Sequence, residues 1–319
     1  MLRVHFTAQD LARTRVAEGA DPLWETVLSL HALRENRAEP ALAAWRQHAV
    51  RHGPGPLRTL LPLVPRHGYF PDFLTPFAGL DGVEPGLEAV MSTPRRRLRS
   101  ELVLLSGHRA LPGWSRGIAD GEPAALRHLA RSLRMYHHRA VAPSWPRIAE
   151  RVGIDRALRR HALAQSGAEA MLRTFGPVMR WRPPVLEVGY PVERDLYLEG
   201  RGLVFVPSYF CRGVPVALVD EALPPVLVYP AREKVGAHAE GPRLRGYGGE
   251  ALREVPALLG GCLPDLRGPA APGTAPRGVV GSSPYAQYGD DPPPCDARHQ
   301  TPQADPRRSR RHPLGPLRP

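Results

Sequence analysis

Lysine is almost absent from this chain. Lys234 is the only one, so 42 of the 43 basic residues are arginine. Most exposed cations could be either type, so so one-sided a choice points to a GC-rich coding sequence, whose codons favour Arg, Ala, Gly and Pro. The net charge of +12 favours polyanions in general, and codon bias accounts for it equally well. Cysteine is scarce too. Cys211, Cys262 and Cys295 are far apart and odd in number, which excludes a disulfide framework and any CxxC or CxC metal box. No run of 18 apolar residues exists, which excludes a transmembrane helix. The opening Met1–Ala8 has no apolar core of signal-peptide length, so the cytoplasm is the default expectation.

Recognisable chemistry is also missing. There is no GxGxxG after a strand, no Walker loop, no HExxH and no GxSxG. Ser208 and Cys211 have no histidine in a triad context, and Cys211 reads as a packed thiol rather than a nucleophile. The adjacent His137 and His138 point about 100° apart on a helix and cannot chelate one ion together. The sequence therefore implies no enzyme, no metal and no cofactor.

What is present is mainly helical. Leu2, Val4 and Phe6 alternate with polar residues, as in a short strand. Thr7 and Asp10 then form a capping-box pattern for a helix to about Val16. Asp21-Pro22 opens a second helix, with Asp as N-cap and Pro in the first turn. Glu39-Pro40 opens a third, to His52. Prolines break Gly53–Pro65. The Gly68–Pro76 stretch is an aromatic loop in which Tyr69, Phe70 and Phe73 could line a ligand pocket or plug a core between helices. Further helices are expected over 84–91, 95–105, 123–142 and from Ser144 onward, with a second capping pattern at Ser166–Glu169. Arg95, Arg96, Arg97 and Arg99 crowd the first turn of one helix, against its macrodipole. Such a cluster suits an acidic partner, a phosphate or a solvated face.

Residues 179–230 are the sheet-like region. Leu196 and Leu198 alternate with Asp195, Tyr197 and Glu199, the period of a half-buried strand. Glu199-Gly-Arg-Gly202 offers glycines for a hairpin connection. Leu203–Val206 is a continuous apolar run, suited to a strand covered on both faces. The expected fold is α+β: a helical domain over 1–230 with a small antiparallel sheet at about 180–230. Residues 231–249 read as a linker. From Pro256 onward, 14 prolines and 8 glycines fall among 64 residues, a density at which disorder is the default expectation.

Several runs nevertheless carry a likeness. Asp21-Pro-Leu-Trp-Glu-Thr26, Leu60-Leu-Pro-Leu-Val-Pro65, Gly68–Thr75, Thr93–Leu98, Tyr136-His137, Trp145–Ile148, Arg180–Val188, Val206-Pro-Ser-Tyr-Phe-Cys211 and Pro224–Pro230 occur in one order. Together they resemble the long N-terminal domain of actinobacterial winged-helix regulators classed with the ArsR family. The resemblance implies a sensor or dimerisation domain over 1–230, a homodimer, DNA as partner and an effector that the sequence does not name. It also implies that a winged helix-turn-helix domain follows. Gly249–Val255 resembles the first helix of that domain, a remnant spanning 250–262. No recognition helix or β-wing follows, and residues 263–319 are Pro/Arg-rich text of the kind that out-of-frame GC-rich DNA encodes. A frameshift near Val255–Cys262 would have removed the DNA-reading part, so no DNA-contact residue can be carried over. The other reading is a ligand- or protein-binding module without specific DNA binding.

Overall fold

The computed structural model describes residues 1–34, 40–66, 68–218, 220 and 222–232. The expected linker from 233, the helix remnant at 250–262 and the tail at 263–319 lie outside the described residues. The fold is α+β, as the sequence implies. Its elements run β1 (Leu2–His5), α1 (Ala8–Arg13), β2 (Arg15–Val16), α2 (Pro22–Arg34), α3 (Pro40–His52), α4 (Pro54–Leu60), α5 (Val83–Met91), α6 (Arg95–Ser106), α7 (Ser115–Ala119), α8 (Pro123–Tyr136) and α9 (Trp145–Arg173). The strands β3 (Met179–Arg182), β4 (Val185–Val188), β5 (Arg194–Tyr197), β6 (Val204–Ser208), β7 (Val216–Ala217) and β8 (Val226–Pro230) follow. Among the described residues no helix is long and apolar enough to cross a membrane.

The sheet differs from expectation in three ways. There are two four-stranded sheets, ordered β3-β4-β1-β5 and β2-β6-β8-β7. Both recruit a strand from the N-terminus. Both are mixed: β1 pairs β5 in parallel, β2 and β8 pair β6 in parallel, and the remaining pairs are antiparallel. Residue composition over 179–230 could not reveal a partner strand more than 150 residues away. The Glu199–Gly202 stretch is accordingly no hairpin. It carries the chain from the first sheet to the second.

Alternation along β6 and β8 explains how the layers close. Val204, Val206, Val226 and Val228 face a core shared with the helices. Phe205, Leu227 and Tyr229 face a second core, bounded by Leu2, Val4, Trp181, Leu186 and Leu196 of the first sheet and by Met171 and Leu172 of α9. The second sheet is thus the middle layer, and β6 is buried along its whole length, as its uninterrupted apolar run requires. The first core surrounds α2, which is buried from Pro22 to Leu30. A helix buried on all sides, with Glu25, Thr26 and Ser29 buried beside its apolar residues, belongs inside a domain.

The N-terminal turn fixes the crossover. Thr7 and Asp10 make the expected capping box, but α1 stops at Arg13, because Arg15 and Val16 pair with Val204 and Phe205. Asp10 Oδ1 also accepts Gly202 N at 3.0 Å, and Thr14 Oγ1 accepts Leu203 N at 3.2 Å. Gly202 sits at φ 72°, and a Cβ there would fall 2.7 Å from Arg13 Cβ. Gly202→Ala is therefore expected to destabilise the protein by about 1–3 kcal/mol, read as a lower denaturant midpoint at unchanged slope.

Other boundaries follow local chemistry. The expected break at Gly53–Pro65 contains a helix, α4, because Pro54 and Pro56 fall in its first turn, where N–H groups have no helical partner. The second capping pattern marks a kink in α9, with Ser166 at φ −144° and Gly167 at φ 79°. Beyond α8 the chain continues as one π-helical turn, His137–Val141.

Candidate functional site

Two of the sequence runs singled out above meet at one carboxylate. Glu25, on the first turn of α2, is fully buried. Its Oε1 accepts Tyr209 N at 2.7 Å, and its Oε2 accepts Ser208 Oγ at 3.0 Å and Phe210 N at 3.0 Å. Ser208 Oγ in turn accepts Cys211 N at 3.0 Å. The turn after β6 is thereby clamped to α2. One turn earlier, Asp21 caps the helix, its Oδ1 accepting Leu23 N at 2.8 Å and Trp24 N at 3.0 Å. Its Oδ2 is buried without a hydrogen-bond partner among the described residues.

Burial pushes both carboxyls up. Glu25 reaches about 7 even though the donors from Tyr209, Phe210 and Ser208 pull the other way. Asp21 also reaches about 7 against the donors from Trp24 and Leu23. Paired carboxyls near neutrality are a mark of acid–base catalysis. Here the geometry opposes it: Glu25 is 0% exposed and Asp21 1%, and the Glu25 oxygens are filled by protein donors. A general acid must reach substrate. Glu25 is better placed to hold α2 against the turn after β6, and Asp21 to cap α2 itself.

Neighbouring side chains extend this polar core. Thr26 gives its one hydroxyl proton to Pro22 O at 2.6 Å, so the 3.0 Å contact with His137 has His137 Nδ1–H as donor. Burial, with the adjacent His138, lowers His137 to about 4 and keeps it neutral. Ser29 Oγ donates to Thr26 O at 2.7 Å and shares a 3.1 Å hydrogen bond with the Tyr136 hydroxyl. Trp45 packs on Phe210 and donates from Nε1 to Ala140 O at 2.8 Å.

Tyr69, Phe70 and Phe73 belong to the core around α2. Phe73 is fully buried, Phe70 packs edge-on against Trp24, and Tyr69 is half-buried beside them. Phe73 N donates to Glu101 Oε2 at 2.8 Å, which ties the aromatic loop to α6. Burial, together with Glu101 and Asp72, pushes the Tyr69 phenol far above its usual range. Phe70 and Phe73 are part of that core, with Tyr69 packed against it.

Arg95, Arg97 and Arg99 of the α6 cluster find acids within the chain. Arg95 and Arg99 both donate to Asp120, and Arg97 pairs with Glu101 at 2.6 Å. Cys211 is buried, with Sγ 3.6 Å from Val214 O, a packed thiol. Cys262 and Cys295 lie outside the described residues.

Sequence reasoning missed two clusters. Glu25 carried a signal, a lone acid inside an apolar helical run. The second cluster joins α9 to β8: Asp155 accepts Arg159 Nη2 at 2.8 Å and also accepts the Tyr229 hydroxyl. An Asp–Arg pair at i,i+4 is an ordinary surface pattern, and nothing in the sequence marks this one as buried. No family model, curated protein or solved structure matches the chain.

Proposed function

We propose that residues 1–230 are the sensor or dimerisation domain of an ArsR-like winged-helix transcriptional regulator, and that this chain has lost the operator-reading part. One observation carries the reading. The Asp21–Thr26 and Val206–Cys211 runs, far apart in sequence and both part of the resemblance, serve a single structural purpose at Glu25. Motif residues spent on a buried clamp suit a scaffold whose output lies elsewhere, and suit an enzyme poorly. The reading brings a cytoplasmic homodimer with it.

A helix-turn-helix protein reads sequence through base-edge contacts from its second helix. Without that helix only phosphate contacts remain, and these fade steeply with salt. In a gel shift, this chain should retard its own upstream region and a scrambled duplex alike, with both complexes lost between roughly 50 and 200 mM salt. A preference of about tenfold or more for the upstream duplex at near-physiological salt would show that an operator reader is intact and would overturn the proposed loss.

A further inference from the structure

Two arginines from separate segments converge on one backbone oxygen. Arg34, in the last turn of α2, donates from Nη1 to Val64 O at 2.7 Å and to Leu61 O at 3.3 Å. Arg109, beyond the end of α6, donates from its own Nη1 to the same Leu61 O at 3.4 Å. The two guanidinium groups therefore lie within two hydrogen-bond lengths of each other. Arg66 stands beside them. Its carbonyl accepts His31 Nδ1 at 3.3 Å, one turn before Arg34 on α2. Its Nε is buried without a partner among the described residues.

Like charges so placed repel. Arg34 is half-buried, and its pKa is lowered first by that burial and then by the charges of Arg109 and Arg66. Elsewhere among the described residues several arginines have a carboxylate partner: Arg95 and Arg99 share Asp120, and Arg97, Arg134 and Arg159 pair with Glu101, Glu84 and Asp155. Among the described residues no ion pair joins a carboxylate to Arg34, Arg66 or Arg109. The carbonyls of Leu61 and Val64 explain where Arg34 and Arg109 point. A helix C-terminus, however, offers only about half an elementary negative charge, against three full positive ones. Arg66 is not explained by the carbonyls at all.

We propose that Arg34, Arg66 and Arg109 form a binding site for a multiply charged oxyanion, a phosphate or polycarboxylate group of a small molecule. Guanidinium forks match the paired oxygens of both groups. The site is built on the 60–66 turn and stands whichever way the DNA-binding test falls.

The test follows melting of the full chain in inorganic phosphate, in citrate, and in sodium chloride at matched ionic strength, with Arg66→Ala and Arg109→Ala alongside the wild type. Phosphate and sulfate salts also stabilise proteins generally, so the difference between proteins is what counts. The expected result is a saturable rise in the wild type, at least about 2–4 °C larger than in either variant, in one or both anions. Saturation in phosphate alone or citrate alone names the group. In dilute chloride Arg66→Ala is expected to melt above the wild type, because repulsion is relieved. Equal anion-induced shifts in wild type and variants would overturn the site, and would leave the three arginines as caps on backbone carbonyls.

Discussion

Asp155→Ala is expected to be among the most destabilising single substitutions in this protein, at about 3–5 kcal/mol. Arg159 is 2% exposed. Its guanidinium lies 4.4 Å over the Phe175 ring and also donates to Thr174 O. Asp155 accepts Arg159 Nη2, the Tyr229 hydroxyl and Arg232 N. Removing the carboxylate strands a cation in a low-dielectric core with no solvent route, and orphans a phenol and an amide. At this chain length the melting midpoint should drop by roughly 10 °C. Replacing both partners by apolar residues, Asp155→Leu with Arg159→Met, should recover much of the loss, because the buried charge itself is then gone. A stability for Asp155→Ala within about 1 kcal/mol of wild type would mean that water or a rearranged partner reaches Arg159.

The second large effect is at Glu25. Glu25→Ala leaves two backbone N–H groups and the Ser208 hydroxyl buried without an acceptor, each worth about 1–3 kcal/mol. Their joint loss should reach about 3–5 kcal/mol and release the turn after β6, read as a loss of near-ultraviolet aromatic signal from Tyr209 and Phe210. The pH dependence has a definite sign. Because burial raises Glu25 from 4.5 to about 7, the folded state binds the proton more tightly than the unfolded chain. Stability from this group is full below 4.5 and falls as pH rises to 7. Asp21 acts in the same sense. His137, lowered to about 4, acts oppositely, since stability is lost as pH falls from 6.5. The Glu25 contribution is therefore isolated by subtraction. Glu25→Gln cannot titrate, so its deficit relative to wild type should shrink between pH 4.5 and 7 by an amount on the order of 3 kcal/mol. A deficit constant over that range would show that Glu25 stays ionised throughout.

Both clusters illustrate what the sequence could and could not carry. Local signals were legible. Thr7 and Asp10 gave a cap, Asp21-Pro22 a helix start, Ser166–Glu169 a second capping pattern where α9 kinks, and Leu203–Val206 a strand buried on both faces. Each depends on residues within a few positions of one another. Long-range partners were not legible. The pairing of β1 with β4 and β5, and of β2 with β6, joins the N-terminus to residues beyond 180, and no periodicity encodes that choice. The same limit hid Glu25 and its donors, 183 to 185 residues apart. For the aromatic loop, spacing alone left pocket and core open. Packing of Phe70 on Trp24 and full burial of Phe73 favour the core.

The arginine-rich composition divides on the same lines. Codon bias explains why the cations are arginine. It does not explain where they stand, and that is decided by partners such as Asp120, Glu101 and Asp155. The cluster of Arg34, Arg66 and Arg109 is set apart by its surroundings alone.

The proposed function turns on what the gene encodes after residue 245. The decisive measurement is the nucleotide sequence across codons 245–319, read in the other two frames. The proposal predicts that one of them continues Gly249–Val255 into a second helix, a recognition helix and a β-wing. If neither frame encodes a winged helix, residues 1–230 do not belong to a frame-shifted regulator of this type, and the proposed function falls.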